Sequence, residues 1–385
     1  MKVALYLTDN KNPHDGVTRF LQETLKAFEK TELAQNTEIT GGVLLSGKEA
    51  RGARRTEIES GFKETMPNVN MHYKNAACPR KFLSLTEYLL PMNYKKVFGE
   101  QADVYLFPLN YCPPNKPKGL TAVIIHDLTP LHTSKSLLRK VLHKKMYKNA
   151  VKNADVIFTV SKHSESEILK YYPIAKGKTV VNYCGTDTAF FSAPATEEKC
   201  REVKEKYNTG ERYFLFVGQD RENKNLPRLL NAYALLPEEI RKNHKLVIAN
   251  HGQALKEQAE KLNLSGAVLL NGIENDDIAA VVQCAGALML VSTFEGFGLP
   301  LVEAMAAGVP TVTSDVSCLP EVAGGASLLA DPYSEKSIAE AMERVISDEA
   351  LREELIEKGK ERAKAFTWEN TANTFVREIG KLLQK

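Results

Sequence analysis

At 385 residues the chain exceeds one ordinary domain and can bury two or three cores. Its 43% hydrophobic and 26% charged residues are those of a soluble globular protein, and a net charge of +3 is too small for nucleic acid, so any basic partner surface has to be local. The six cysteines, Cys78, Cys112, Cys184, Cys200, Cys284 and Cys318, contain no Cys-x-x-Cys pair and no metal-ligand spacing, which points to a reducing cytosol.

The opening Met1–Leu7 is a short apolar run that stops at Asp9, a first strand rather than a signal peptide, and no later run reaches transmembrane length. Val3–Thr8, Ile39–Leu45, Val104–Phe107, Ala122–His126 and Val156–Val160 read as strands, with helices over Val17–Lys30 and Ser136–Lys152. Strands interleaved with helices predict a doubly wound parallel sheet. The loop Asn12-Pro13-His14-Asp15-Gly16 leaves the carboxyl end of the first strand, the edge where open α/β sheets bind ligands. His126 and Asp127 leave the strand from Ala122 at the same edge, where a lone histidine is more often structural than catalytic. Ser161 is a predicted helix N-cap.

In Ser136–Lys152 the residues Leu138, Leu142, Met146 and Ala150 form one stripe, expected to pack on the sheet. Lys140, Lys144, Lys148 and Lys152 form another, expected to face water. The apolar segment Arg80–Pro91 is a candidate acceptor or membrane contact, and Arg51, Arg54 and Arg55 crowd a loop that would suit a lipid phosphate or plain solvent equally.

Lys178–Asn182 closes the first half, and the polar stretch Ser192–Glu198 marks a boundary near residue 190. The pattern then restarts. Tyr213–Val217 leads into Gly218–Leu226, Leu246–Ala249 into Asn250-His251-Gly252, and Val268–Leu270 into Asn271-Gly272-Ile273. Ala285–Val291 is uncharged, like a strand buried on both faces, and Leu299–Ala307 has helical spacing with Pro300 in its first turn and Gly308 at its end. Thr311–Asp315 and Leu319–Gly324 read as scaffold, and a last helix runs from the only tryptophan, Trp368, to Leu383.

The join Glu295-Gly296-Phe297-Gly298 carries the chemistry. Glycines between a strand end and a helix start allow close backbone approach, with N–H groups and the positive helix end aimed at a ligand, which suits phosphate. Glu295 and Glu303, with seven residues between them, are acceptors suited to hydroxyls. A nucleotide sugar satisfies both.

Glu295–Pro300 followed by Glu303-Ala304-Met305-Ala306 resembles the signature of glycosyltransferase family 4, retaining enzymes of the GT-B fold, and further matches run along nearly the whole chain. The resemblance implies two Rossmann-like α/β domains facing across a cleft: an acceptor-side domain over 1–188, joined by a returning helix over 368–385, and a nucleotide-sugar domain over 189–367. It implies that Glu295 and His126 hold the donor sugar and that Lys224 clamps the diphosphate. Arg221 stands near the place of the family's second cation without matching it. Of the family's first-strand glycine pair only Gly16 carries over. Gly272 and Ile273 would meet the base; Gly296, Phe297, Gly298 and Leu299 would line the phosphates; and Glu303 would bind the ribose.

The implied reaction moves a sugar from a GDP- or UDP-linked donor to a glycan or lipid-linked hydroxyl in cell-surface polysaccharide or glycoconjugate synthesis, by front-face substitution. No cofactor and no nucleic acid are expected, with at most a weak contact at the inner membrane surface. No Asp-x-Asp is present, so catalysis without bound metal is expected. A GT-B epimerase and a non-catalytic sugar-nucleotide binder stay open, whereas a Rossmann oxidoreductase lacks its Gly-x-Gly-x-x-Gly.

Overall fold

Short runs of apolar residues bounded by loops form strands buried on both faces, and they build two sheets. The computed structural model describes residues 1–7, 16–46, 56, 59, 60, 63, 67–76 and 90–384. The loop Asn12–Asp15, the arginines Arg51, Arg54 and Arg55, and Arg80–Leu89 lie outside the described residues. Thirteen strands are described: β1 (Lys2–Leu7), β2 (Glu38–Ser46), β3 (Asn70–Ala76), β4 (Val104–Phe107), β5 (Leu120–Ile124), β6 (Val156–Thr159), β7 (Thr179–Val181), β8 (Tyr213–Phe216), β9 (Lys245–Ala249), β10 (Ala267–Leu270), β11 (Ala287–Leu290), β12 (Thr311–Ser314) and β13 (Leu328–Ala330).

The chain divides into two units, Met1–Gly185 with Trp368–Lys385, and Thr186–Thr367. The sequence reading placed this division three residues later. Thr186 already belongs to the second unit because its N–H donates to the Phe366 carbonyl (3.0 Å), beside the Asp187 cap of the helix Thr188–Ser192.

In the first unit the strand order is β3-β2-β1-β4-β5-β6-β7, all parallel. The order reverses between β1 and β4, where Val3 lies beside Val104. Along β1 the side chains alternate: Ala4 and Tyr6 join the core built on Phe98, Phe107 and Tyr147, while Leu5 and Leu7 join Leu21 and Val43 on the opposite face. The helix Trp368–Leu383 belongs here. Phe375 lies 4.2 Å from Phe158 between ring centroids, and Asn182 Nδ2 donates to the Thr371 carbonyl at 3.1 Å.

The second unit repeats the plan as β10-β9-β8-β11-β12-β13, with the reversal between β8 and β11, where Leu215 lies beside Leu288. All four residues of β11 are buried, as its uncharged sequence predicts. Three strands went unrecognised: β3, whose Asn-Met-His-Tyr-Lys alternates but holds only two large apolar residues, β12, read only as scaffold, and the three-residue β13.

One expectation fails. On the helix Leu137–Asn153 only the second half of the predicted stripe is buried, Met146 and Ala150 together with Tyr147 and Val151, whereas Leu138 is 70% exposed. Successive i, i+4 positions advance 40° around the axis, so a stripe that meets the sheet at Met146 has rotated away from it by Leu138. No helix among the described residues is long and apolar enough to cross a membrane.

Candidate active site

Strand order decides which loops meet. Because β8 and β11 are neighbours at the reversal point of the second sheet, the loops leaving their carboxyl ends share one edge. Lys224 comes from the first loop and Glu295 from the second, and Lys224 Nζ lies 2.6 Å from Glu295 Oε1. Both side chains are largely withdrawn from solvent, at 16% and 10% exposure. In such surroundings two opposite charges cost too much to hold apart, so each fixes the other.

Two asparagines on either side of Lys224 stitch the loops together. Asn223 Nδ2 donates to the Phe294 carbonyl (2.8 Å), and the Thr293 N–H donates back to the Asn223 carbonyl (2.8 Å). Asn225, in the left-handed region at φ +62°, donates through Nδ2 to the carbonyls of Val291 (3.0 Å) and Pro332 (2.7 Å). Pro227 then stands in the first turn of the helix Leu226–Leu235.

The main chain of Glu295 is clamped from β12's exit. Its N–H donates to Ser317 Oγ (3.1 Å), whose hydroxyl in turn donates to the Glu295 carbonyl (2.9 Å), and the buried Cys318 thiol donates to that same carbonyl (3.2 Å). Ser317 holds φ +61°, a conformation a side-chain-bearing residue takes only when its surroundings over-determine it.

Past Glu295, Gly296 and Phe297 are buried, and the Phe297 ring meets Phe366 edge-on at 5.3 Å. Gly298 caps the helix Leu299–Ala306 at φ +95°, where an added Cβ would meet Leu319 Cδ2 at 3.0 Å and Leu290 Cδ2 at 3.2 Å. The first turn of that helix presents main-chain N–H groups and the positive dipole end. Glu303 lies on the same helix, 5% exposed.

Other predicted residues stand apart from the Lys224–Glu295 pair. Arg221 is exposed and lines a cavity of about 440 Å³ with Glu222, Arg228 and Glu335; neither Lys224 nor Glu295 lines it. Gly272 and Ile273 leave β10, two strands from β8. A relay joins these edges: the Asp220 N–H donates to the Asn250 carbonyl (3.2 Å), the Asn250 N–H donates to the Leu270 carbonyl (2.8 Å), and a Cβ on Gly272 would lie 3.3 Å from Asn250 Oδ1.

The family model for group 1 glycosyl transferases matches residues 198–362, which hold this arrangement. The O-antigen chain mannosyltransferase B of Escherichia coli is 32% identical over 279 residues, 69% of this chain and 71% of that protein. The chain belongs to the group 1 glycosyltransferases. The serotype-specific mannosyltransferase WbdA of Escherichia coli is 29% identical over 341 residues, 84% of the chain, which spans 41% of that longer relative. Among solved structures, sucrose-phosphate synthase (tll1590) from Thermosynechococcus elongatus superposes with a TM-score of 0.75 at 18% identity, covering 100% of this chain and 99% of that one. Anabaena Alr3699/HepE in complex with UDP and glucose reaches 0.75 at 13% identity, covering 99% and 100%. These likenesses show the GT-B fold.

In the first unit, His126 follows β5 and is buried at 7% exposure. Its N–H donates to Asn110 Oδ1 (2.7 Å), and Nε2 lies 3.0 Å from the Pro108 carbonyl. A carbonyl only accepts, so Nε2 carries a proton. The edge of Phe20 packs on the imidazole at 5.0 Å, one turn along the helix that Gly16 opens. The family resemblance covered Lys224 with Asn225, Glu295 and Glu303, but it gave no part to Asn223, Ser317 or Cys318, which together with Asn225 hold Lys224 and Glu295 in place.

Proposed function

We propose that the chain transfers a sugar, mannose in the first instance, from a nucleoside-diphosphate donor to a hydroxyl of a glycan or lipid-linked acceptor, with retention of anomeric configuration and without bound metal. The observation that carries this is the buried Lys224–Glu295 pair beside the glycine-capped helix. Cleaving such a donor leaves a diphosphate whose growing charge needs a fixed cation and oriented dipoles, and Lys224 and the start of the helix Leu299–Ala306 supply both. Glu295 accepts from sugar hydroxyls and Glu303 from the ribose. A part for His126 in holding the sugar belongs to the same proposal. Mannose is favoured because WbdA and mannosyltransferase B carry that activity in their names. A nucleoside diphosphate is favoured by the UDP in HepE. GDP- and UDP-linked donors both fit the proposal, and the acceptor class would put the protein to work in surface-glycan synthesis on the cytoplasmic side.

Thermal shift against GDP and UDP selects the nucleotide, since a ligand of the folded state raises apparent stability. Incubation with the matching mannose donor and a mannosylated acceptor should then give a product whose anomeric configuration, read by NMR, equals the donor's, at a rate unchanged by EDTA. Donor hydrolysis or isomerisation without acceptor, or inversion, would defeat the proposal.

A further inference from the structure

The second unit holds a pair of thiols outside the site described above. Cys200 lies on the helix Glu197–Lys206, and Cys284 caps the carboxyl end of the helix Ile278–Gln283, 84 positions further along the chain. The Cys284 thiol points at Cys200, with the two Sγ atoms 2.7 Å apart. Other groups hold the two segments together on both sides of the sulfurs. Just before the first helix, the Ala195 N–H donates to Gln283 Oε1 (2.8 Å), and Gln283 Nε2 donates to the carbonyls of Phe191 (2.7 Å) and Ala193 (2.8 Å). Lys199 Nζ and Lys206 Nζ each lie 2.7 Å from the carboxylate of Asp277, at the start of the second helix. The approach of the sulfurs is therefore set by contacts in which they take no part. Both cysteines are half-buried, whereas Cys112, Cys184 and Cys318 are buried. Among the described residues they belong to no group of His, Cys, Asp or Glu that could hold a metal ion.

We propose that Cys200 and Cys284 form a reversible oxidation site, joining as a disulfide within the chain when the protein meets a peroxide and returning to thiols in excess reductant. The Cys200 thiolate attacks hydrogen peroxide and breaks its O–O bond, giving a sulfenic acid and water. Cys284 then attacks the sulfenic sulfur, and its proton leaves with the hydroxyl as a second water, so that two thiols and one peroxide become one disulfide and two waters. This order follows because burial pushes the Cys284 thiol up to about 12, which keeps it protonated at neutral pH. With the sulfurs already 2.7 Å apart, forming the bond moves them by roughly 0.7 Å, within the reach of side-chain torsions. The product closes a loop that contains β8, β9, β10 and Lys224. A cross-link over that length restricts the unfolded chain much more than the folded unit, so the oxidised protein resists unfolding better than the reduced one. In a reducing compartment the pair stays open, and it closes when the thiol poise is lost. The site stands or falls independently of sugar transfer.

The test is treatment of the reduced full chain with hydrogen peroxide, blocking of the remaining thiols with iodoacetamide, and mass mapping after glutamyl endopeptidase. That enzyme leaves Cys200 in 199–202 and Cys284 in 275–295, each without another cysteine. The two peptides should be recovered joined, two hydrogens lighter than their sum, and should separate after dithiothreitol. The oxidised protein should melt about 5–15 °C above the reduced one, a shift that dithiothreitol reverses. C200S and C284S should show neither the link nor the shift, and in C284S dimedone should label a sulfenic acid on Cys200. The wild-type map stands whether or not a variant folds. The proposal is overturned if both cysteines are alkylated after the peroxide is consumed, if either is joined to another cysteine or to a second chain, or if the linked protein melts no higher than the reduced one. Dimedone labelling of Cys284 in C200S, with none of Cys200 in C284S, likewise overturns it.

Discussion

Lys224 owes its position to its neighbours in the chain rather than to its own side chain. Asn223 and Asn225 each reach across to main-chain carbonyls of the β11 loop, leaving the ammonium group between them one place to go. K224A should therefore lower kcat/KM by about 10²–10³-fold, the usual consequence of removing one preorganised group facing developing charge, and should also lower the melting temperature, because Glu295 is left buried without its cation. Steady-state kinetics with a saturating acceptor measures this.

Ser317 makes a sharper case, because its geometry costs about 1 kcal/mol in backbone strain and is kept nonetheless. S317A should lower kcat about tenfold through a loosened Glu295, with KM for the donor changed less. S317G should melt higher than S317A by relieving the strain, yet stay as slow. An S317A enzyme with unchanged kcat would show that the hydroxyl bridge does not position Glu295. Nothing in the sequence announces this bridge, since a serine two residues past an aspartate is ordinary loop composition and only the fold brings it to residue 295.

At the scale of elements, the helix Ile278–Gln283 is pinned at its start by Asp277, which is buried. Lys199 Nζ and Lys206 Nζ each lie 2.7 Å from its carboxylate, and the Tyr207 hydroxyl donates to it at 2.7 Å. Burial alone would raise the carboxyl pKa, but the hydrogen bonds from Lys199, Lys206 and Tyr207 outweigh it and hold the group well below the ordinary range. A carboxylate depressed in the folded state contributes stability that is complete above the unfolded value of about 3.9 and is lost as pH falls below it. D277A should cost about 1–2 kcal/mol at neutral pH, the lost charge-assisted hydrogen bonds being partly replaced by water at the two half-exposed lysines. Between about pH 5 and pH 3 the wild-type melting temperature should fall more steeply than the variant's, as scanning calorimetry would show. The pinned helix follows the loop carrying Gly272 and Ile273, so a higher donor KM is expected as well.

Strands such as β5 and β11 were legible because continuous apolar runs have few other readings. The edge strand β3 was not, since its polar sequence is recruited only by pairing with β2. The helix Leu137–Asn153 was found, but its face was misread, because spacing alone says which side chains share a stripe and not how much of the helix has something to lie on.

For the molecule as a whole, two α/β units and their order could be read from the restart of the strand pattern after residue 190. The juxtaposition of Lys224 and Glu295 could not be derived from spacing, because they are far apart in the chain and only the order β8-β11 makes them neighbours. The last helix completes the first unit through Phe375 against Phe158 and Trp368 against Phe20, the latter at 5.9 Å. Deleting 368–385 should therefore speed amide hydrogen exchange in β6 and the helix Gly16–Phe28 far more than in β8 or β11, although residue 367 belongs to the second unit. Equal loss of protection in both units would contradict that division.

The same return of the chain sets an order of assembly. On a ribosome that emits about 5–20 residues each second, the nascent first unit has its whole sheet but not its closing helix, and it must wait through some 180 further residues for it. The piece translated second is thus complete first. Phe20 and Phe158, capped in the finished protein by Trp368 and Phe375, stay uncovered in the meantime, which makes them natural footholds for a chaperone during synthesis.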